Sequence, residues 1–306
     1  MTLDSHPTLP EFDYICPTTL DEASQFMVKH ATDARLFLGG TDVFIRMRDG
    51  FLKPKYLVDV KKLEGMRDLT FDPEAGLTIG AAITMNQLIA SPEVQRHYPL
   101  LAEACQSVAS YQLRNRATVV GNICNASPAG DTIGACLVFD AEISIHGAEG
   151  RRIEALNNFF LGPGKTTLVP GDLVTAIHLP SPQKGAIGRY LKLGRNKISD
   201  LAIIGVTILG WPKADLPSGF RVRVALTSVA PTPLLLSDVE TFLANQAITA
   251  ETVQEAARLA AEACSPIDDV RSSARYRKYM VKNLTVKALC DVFAKLGKPV
   301  MHYSNN

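Results

Sequence analysis

Arg35-Leu-Phe-Leu-Gly-Gly-Thr-Asp42 runs from an apolar stretch straight into paired glycines. Arg35–Leu38 reads as a short strand, and Thr41–Arg48 as the start of a short helix. Glycines at such a junction let backbone N–H groups approach an anion with no Cβ in the way. The helix start adds N–H donors that lack intrahelical partners, together with the positive end of a dipole. The threonine hydroxyl offers one further bond. The stretch therefore suits a pyrophosphate cradle, although the same residues also suit an ordinary strand-to-helix turn.

Further along lies Ala117-Thr-Val-Val-Gly-Asn-Ile-Cys-Asn-Ala-Ser-Pro-Ala-Gly-Asp131, within an irregular reading from Leu113 to Asp131. It brings a hydroxyl, a glycine, amides and a carboxylate close together. Asn and Thr on phosphate, with Asp on a pair of ribose hydroxyls, is sensible chemistry. A polar Ω-loop satisfied by its own backbone is the competing reading. Neither loop is a GxGxxG unit, and no P-loop, GxSxG elbow or HExxH motif occurs. Arg114 and Arg116 flank the second loop and suit either an anion or solvent.

Outward from these loops the chain alternates. Thr19-Leu-Asp-Glu22 fits a capping box, followed by Leu20, Ala23, Phe26 and Met27 at helical spacing. Tyr56–Val60 is a strand. The pattern changes at the charged Lys61–Asp68, ahead of the strand Leu77–Ala82. Thr84–Ser110 reads as helical with breaks at Pro92 and Pro99, and strands return at Glu142–His146 and Leu173–Leu179. Ser181-Pro-Gln-Lys-Gly185 is turn chemistry and marks a domain boundary. Beyond it, Arg189–Leu193, Leu201–Leu209 and Arg221–Val229 read as three strands of one sheet. In the last, Val222, Val224 and Leu226 alternate with Arg221, Arg223 and Ala225, as on a sheet with one wet face. Ser237-Asp-Val-Glu240 repeats the capping signal, and helices are expected over 238–245, 250–264 and 273–296. Strands followed by helices give an α+β class. The basic, aromatic run Tyr276–Tyr279 reads as a snorkelling helix face.

A formal net charge of +1 argues against nucleic acid or an anionic membrane as main partners, since both need a basic field. No apolar run approaches the ~20 residues of a membrane span. The start, Met1 to Tyr14, shows neither a basic region nor an apolar core of a signal peptide, so a soluble cytoplasmic protein is expected. The 6 cysteines form no CxxC pair, and the histidines show no ligand spacing, so no metal site is expected.

Taken in order, the two loops resemble the FAD-binding medium subunit of the molybdenum hydroxylases, the xanthine dehydrogenase and carbon monoxide dehydrogenase family. Its GGT[DE]-like loop corresponds to Gly39-Gly-Thr-Asp42, and its T-x-G-G-N…ASP…D to Thr118-Val-Val-Gly-Asn122, Ala126-Ser-Pro128 and Asp131. Lys192-Leu-Gly-Arg195 followed by Asp200-Leu-Ala supplies a third match. One departure is Val120-Gly121 where the family has paired glycines. The resemblance implies a PCMH-type FAD-binding domain over 1–182, in two α/β subdomains of about 1–60 and 61–182. It also implies a C-terminal domain over 185–296 with a three-stranded sheet and helices. Leu36, Phe37, Leu38, Gly39, Gly40, Thr41 and Asp42 would cradle the FAD pyrophosphate. Thr118, Gly121 and Asn122 would reach the phosphates, Asp131 the ribose or adenine side, Leu173 or Val174 the ring system, and Lys192 the flavin. No catalytic residue and no metal ligand is implied on this chain. One branch of the family carries a cysteine-rich insertion for an extra cluster after the second loop, and this sequence has none. The implied role is electron transfer through FAD, between [2Fe-2S] clusters of a small subunit and an external acceptor. A molybdenum-cofactor large subunit would complete a dimer of heterotrimers. The alternative is a stand-alone flavin oxidase of the vanillyl-alcohol oxidase superfamily.

Overall fold

A computed structural model describes residues 8–196 and 199–300; the N-terminal reading at Met1–Pro7 lies outside the described residues. The first unit is a small parallel sheet, in which β1 (Asp13–Ile15) and β2 (Ala34–Phe37) flank β3 (Tyr56–Asp59). Parallel neighbours need crossovers, and helices α1 (Leu20–Lys29) and α2 (Val43–Arg48) lie in them. Thr19 caps α1 by accepting from the Glu22 amide, while the Glu22 carboxylate reaches back to the Thr18 amide and hydroxyl. The box is thus closed one residue early.

Beyond the charged stretch the chain builds an antiparallel sheet in the order β4 (Leu69–Asp72), β5 (Gly76–Gly80), β10, β6 (Glu142–Gly147), β7 (Gly150–Ala155), where β10 is Leu173–Pro180. Between β5 and β6 run α3 (Met85–Ala90), α4 (Pro92–His97), α5 (Pro99–Gln106), α6 (Tyr111–Arg114), α7 (Val119–Cys124) and α8 (Ile133–Val138). Pro92 and Pro99 open α4 and α5, where a missing N–H costs nothing. The irregular stretch expected over Leu113–Asp131 instead contains the end of α6 and the whole of α7. The short helix α9 (Leu156–Phe159) and the ribbon β8 (Phe160–Gly162) with β9 (Lys165–Thr166) join β7 to β10.

After the loop at Ser181–Gly185, β11 (Ile187–Leu193), β12 (Ile204–Pro212) and β13 (Phe220–Thr227) form the expected three strands of one sheet, and they pair antiparallel. A two-residue edge strand, β14 (Leu234–Leu235), adds a fourth to the sheet. Helices α10 (Ser237–Asn245), α11 (Ala250–Glu262) and α12 (Ala274–Lys295) follow. Val222, Val224 and Leu226 face these helices in one apolar core. The opposite face is not wet. Tyr190, Leu209 and Ala225 belong to the core of the preceding sheet and helices, because the wholly buried α8 packs against β12 and β13. Gly134 of α8 makes the approach possible: a Cβ there would lie 2.4 Å from Thr207 Oγ1.

Candidate functional site

The two glycine-bearing loops meet. Gly39 lies so close to the backbone of Arg116 that a Cβ would fall 2.1 Å from its carbonyl oxygen and 3.3 Å from Ala117 Cα. Gly40 has φ +74°, and its missing Cβ would sit 2.4 Å from Phe37 Cε2 and 3.1 Å from Phe44 Cδ2. Both glycines are therefore required by protein neighbours. One binds the loops together, and the other turns the chain over two aromatic rings.

The second loop is fixed from the other side. The Met85 amide donates to Ala117 O at 2.9 Å, and Thr84 bridges Thr118 beside the complete Thr84–Gln87 capping box of α3. Arg114, which flanks the loop, is a tie: its guanidinium donates to Val108 O at 2.7 Å and to Asn86 Oδ1 at 3.3 Å. Arg116 is exposed.

This arrangement leaves donors over. Among the described residues, the backbone N–H groups of Gly39, Gly40, Thr41 and Asp42 donate no hydrogen bond, and neither do those of Val119 and Val120. Thr118 Oγ1 accepts from the Gly121 amide at 2.9 Å, which leaves its O–H proton to give. Asn122 Oδ1 accepts from Thr132 Oγ1 at 2.8 Å, leaving its amide NH2 without an acceptor among the described residues. A set of N–H and O–H donors at two adjoining helix starts is what a diphosphate needs, so the residues present fit the group. Val120 does not obstruct it. Its side chain is 1% exposed and belongs to the apolar core, so the departure from paired glycines fills the interior.

Asp131 closes the second loop but faces the C-terminal sheet. The Tyr190 hydroxyl donates to its Oδ1 and Lys192 Nζ to its Oδ2, both at 2.7 Å; Lys192 also donates to Ser107 O at 3.1 Å. The carboxylate is 6% exposed. Burial pushes its pKa up, against the lowering effect of Lys192 and Tyr190. Burial and the neighbouring charge hold the Tyr190 phenol well above its ordinary value, so it stays a donor. The acceptor capacity that the resemblance assigns to ribose or adenine is shared with two protein donors. Sequence reasoning missed Tyr190; its period in β11 marks it only as inward-facing. Leu173 and Val174 open β10 beside a register shift between Val174 and Ala176, and both are buried in the core.

Asp42 precedes α2 but makes no capping bond with its side chain. The six cysteines are free, and among the described residues no group of His, Cys, Asp and Glu converges as a metal site. No described helix is long and apolar enough to cross a membrane.

Comparison with known proteins adds the family. Residues 10–182 match the FAD binding domain in molybdopterin dehydrogenase, and residues 189–292 match the CO dehydrogenase flavoprotein C-terminal domain. The carbon monoxide dehydrogenase medium chain of Hydrogenophaga pseudoflava is 33% identical over 286 residues, 94% of this chain and 98% of that one. The xanthine dehydrogenase FAD-binding subunit of Escherichia coli O157:H7 is 31% identical over 86% of this chain and 90% of that one. A solved carbon monoxide dehydrogenase from Hydrogenophaga pseudoflava superposes with TM-score 0.89 at 32% identity, covering 94% of this chain and 99% of its own. With two domain matches end to end and relatives matched over nearly their whole length, the chain belongs to the family of FAD-binding medium subunits of the molybdenum hydroxylases and is an oxidoreductase subunit.

Proposed function

We propose that this chain is the electron-transfer subunit of a molybdenum hydroxylase complex, passing electrons through FAD between [2Fe-2S] clusters of a small subunit and an external acceptor. The observation that carries the reading is the meeting of the two loops at Gly39 and Arg116, with consecutive unpaired N–H groups on the first. Leu36–Asp42 would hold the diphosphate through backbone donors, while Thr118, Gly121 and Asn122 would complete its shell. The start of β10 at Leu173 and Val174, whose side chains are buried in the core, would border the ring system, and the Asp131–Lys192 pair would close the site toward the C-terminal domain. Bound FAD supplies one-electron exchange with iron–sulfur centres and two-electron exchange with an acceptor. The chain's own share is to bind, orient and exclude water.

The proposed complex adds a molybdenum-bearing large subunit and a [2Fe-2S] small subunit in a cytoplasmic dimer of heterotrimers; that the relatives are named a medium chain and an FAD-binding subunit supports a multi-subunit assembly. A stand-alone flavin oxidase is not favoured, because the C-terminal domain matches the flavoprotein family rather than a substrate cap.

Purified full-length chain should carry FAD in stoichiometric amount by absorbance after gel filtration. Gly39→Ala should lose it, because the new Cβ drives the first loop off Arg116. A wild-type chain that neither carries nor takes up FAD overturns the proposal. Co-purification with two unlike subunits from the native host tests the complex.

A further inference from the structure

Beneath the Gly39–Gly40 turn, Tyr14, Asp59 and Lys61 form a polar cluster outside the residues assigned to the cradle. Phe37 ends β2, and its ring fills the space where a Cβ of Gly40 would be. That ring is held on several sides. Lys61 Nζ stands 4.0 Å from its centroid, Tyr14 meets it edge-on with centroids 6.1 Å apart, and Phe44 does so at 5.3 Å. The cation and the phenol are themselves joined through one carboxylate. Asp59 Oδ1 pairs with Lys61 Nζ at 2.7 Å and accepts the Lys61 amide at 3.0 Å, while Asp59 Oδ2 accepts the Tyr14 hydroxyl. Tyr14 is on β1, Asp59 ends β3, and Phe37 is its register partner on β2, so the cluster crosses the whole parallel sheet.

We infer that Tyr14, Asp59 and Lys61 are positioning residues for the flavin diphosphate, acting through the Phe37 ring on which the Gly39–Gly40 turn rests. The inference builds on the cradle reading above. An ammonium ion over an aromatic face is attracted by the ring quadrupole, and the carboxylate fixes where the ammonium sits. The ring's tilt then sets the height of Gly40, whose φ of +74° aims the unpaired N–H groups of the loop. The Tyr14 side of the cluster is half exposed, so the fold does not depend on that hydroxyl for core packing. Neither Lys61 nor Tyr14 needs to touch FAD for this effect.

The test uses the full chain, freed of flavin and retitrated with FAD by fluorescence quenching. Lys61→Met keeps the stem and removes the charge; the dissociation constant is expected to rise by about tenfold. Tyr14→Phe should raise it by a smaller factor, and Lys61→Arg, which restores a cation over the ring, should return it to near wild type. The visible circular dichroism of the bound flavin should shift in Lys61→Met and recover in Lys61→Arg. The melting temperature of the apo chain should stay nearly constant in Tyr14→Phe and Lys61→Arg and fall in Lys61→Met, which leaves the Asp59 carboxylate without its counter-ion. If Lys61→Met binds as tightly as wild type, or if affinity and apo stability fall together without rescue by Arg, the inference is overturned. Gly39→Ala separates the two levels. Undiminished FAD affinity in that variant would instead remove the cradle reading itself.

Discussion

Arg277 sits in a run of basic and aromatic residues, Tyr276 to Tyr279, whose pattern predicts a solvated helix face, yet its side chain is 2% exposed. Its Nη1 donates to Ile203 O at 2.9 Å and to Ser228 O at 2.8 Å, and its Nη2 to Asp269 Oδ1 at 2.7 Å. One-residue periodicity cannot separate an arginine that snorkels from one that ties two strand ends to a turn. Only the tertiary fold supplies the carbonyls. Although burial pushes the Asp269 carboxyl up, hydrogen bonds from Arg271 and Arg277 outweigh it and hold its pKa well below the usual carboxylate range. A group depressed in the folded state adds stability above its unfolded pKa of about 4, and that contribution is lost as pH falls toward the folded value. Asp269→Ala leaves the Arg277 guanidinium buried without its counter-charge, so it should cost about 3 kcal/mol in urea denaturation at neutral pH. The loss should shrink as the wild type is acidified below pH ~4, because the unfolded chain then takes up a proton that the folded carboxylate, held well below the usual range, still refuses. Equal midpoints at pH 7 would show the pair to be idle.

Elements with a strong period were legible from sequence, and those set by contacts were not. The three strands after Ser181–Gly185 and the three final helices follow alternation and helical spacing. Helix α7 was hidden because Gly121 and Asn122 weaken helix propensity; its start depends on the Thr118 cap and on the anchor to Thr84. Strand β7, with Arg151 and Arg152 exposed at the sheet edge, carries no apolar face to read. At Ser237 the capping signal misleads. Glu240 turns instead to the Arg223 guanidinium and the Val224 amide, each at 3.1 Å, and Leu236 takes the N-cap position. The glycine loops were legible as tight turns, but their mutual contact at Arg116 was not, since it joins segments far apart in sequence. Helix α8 is the element most committed to its place. Gly134→Ala would set a methyl 2.4 Å from Thr207 Oγ1, and overpacking of this kind costs about 1–3 kcal/mol. The double change Gly134→Ala/Thr207→Ala removes the opposing oxygen and should recover most of that loss in the same denaturation assay. Failure to recover would place the strain elsewhere.

For the molecule as a whole, the boundary expected at Ser181–Gly185 separates strands but not cores. Tyr190, Leu209 and Ala225 contribute to the core of the FAD-binding half, and a polar seam reinforces the apolar one. Arg189 pairs with Glu103 of α5 and, at 3.1 Å, with Asp291 of α12, while Asp131 receives Tyr190 and Lys192. Shared packing of this kind predicts a single unfolding transition. The fluorescence of Trp211 on β12, the 1 tryptophan in the chain, should lose its native signal together with the far-ultraviolet circular dichroism of the apo protein. Asp131 is the residue whose removal tests what binds the halves. Asp131→Ala strands the Lys192 ammonium in a largely buried position and takes an acceptor from Tyr190, so the apo chain should lose about 3 kcal/mol. Lys192→Met alone leaves the opposite charge unpaired and should cost a comparable amount. The double variant buries neither ion, so its loss should be smaller than the sum of the two, with the deficit measuring the coupling. Strict additivity would mean that each group serves the flavin or the solvent separately. Coupling in the absence of FAD would mean that the pair holds the C-terminal sheet against the second loop before any cofactor arrives.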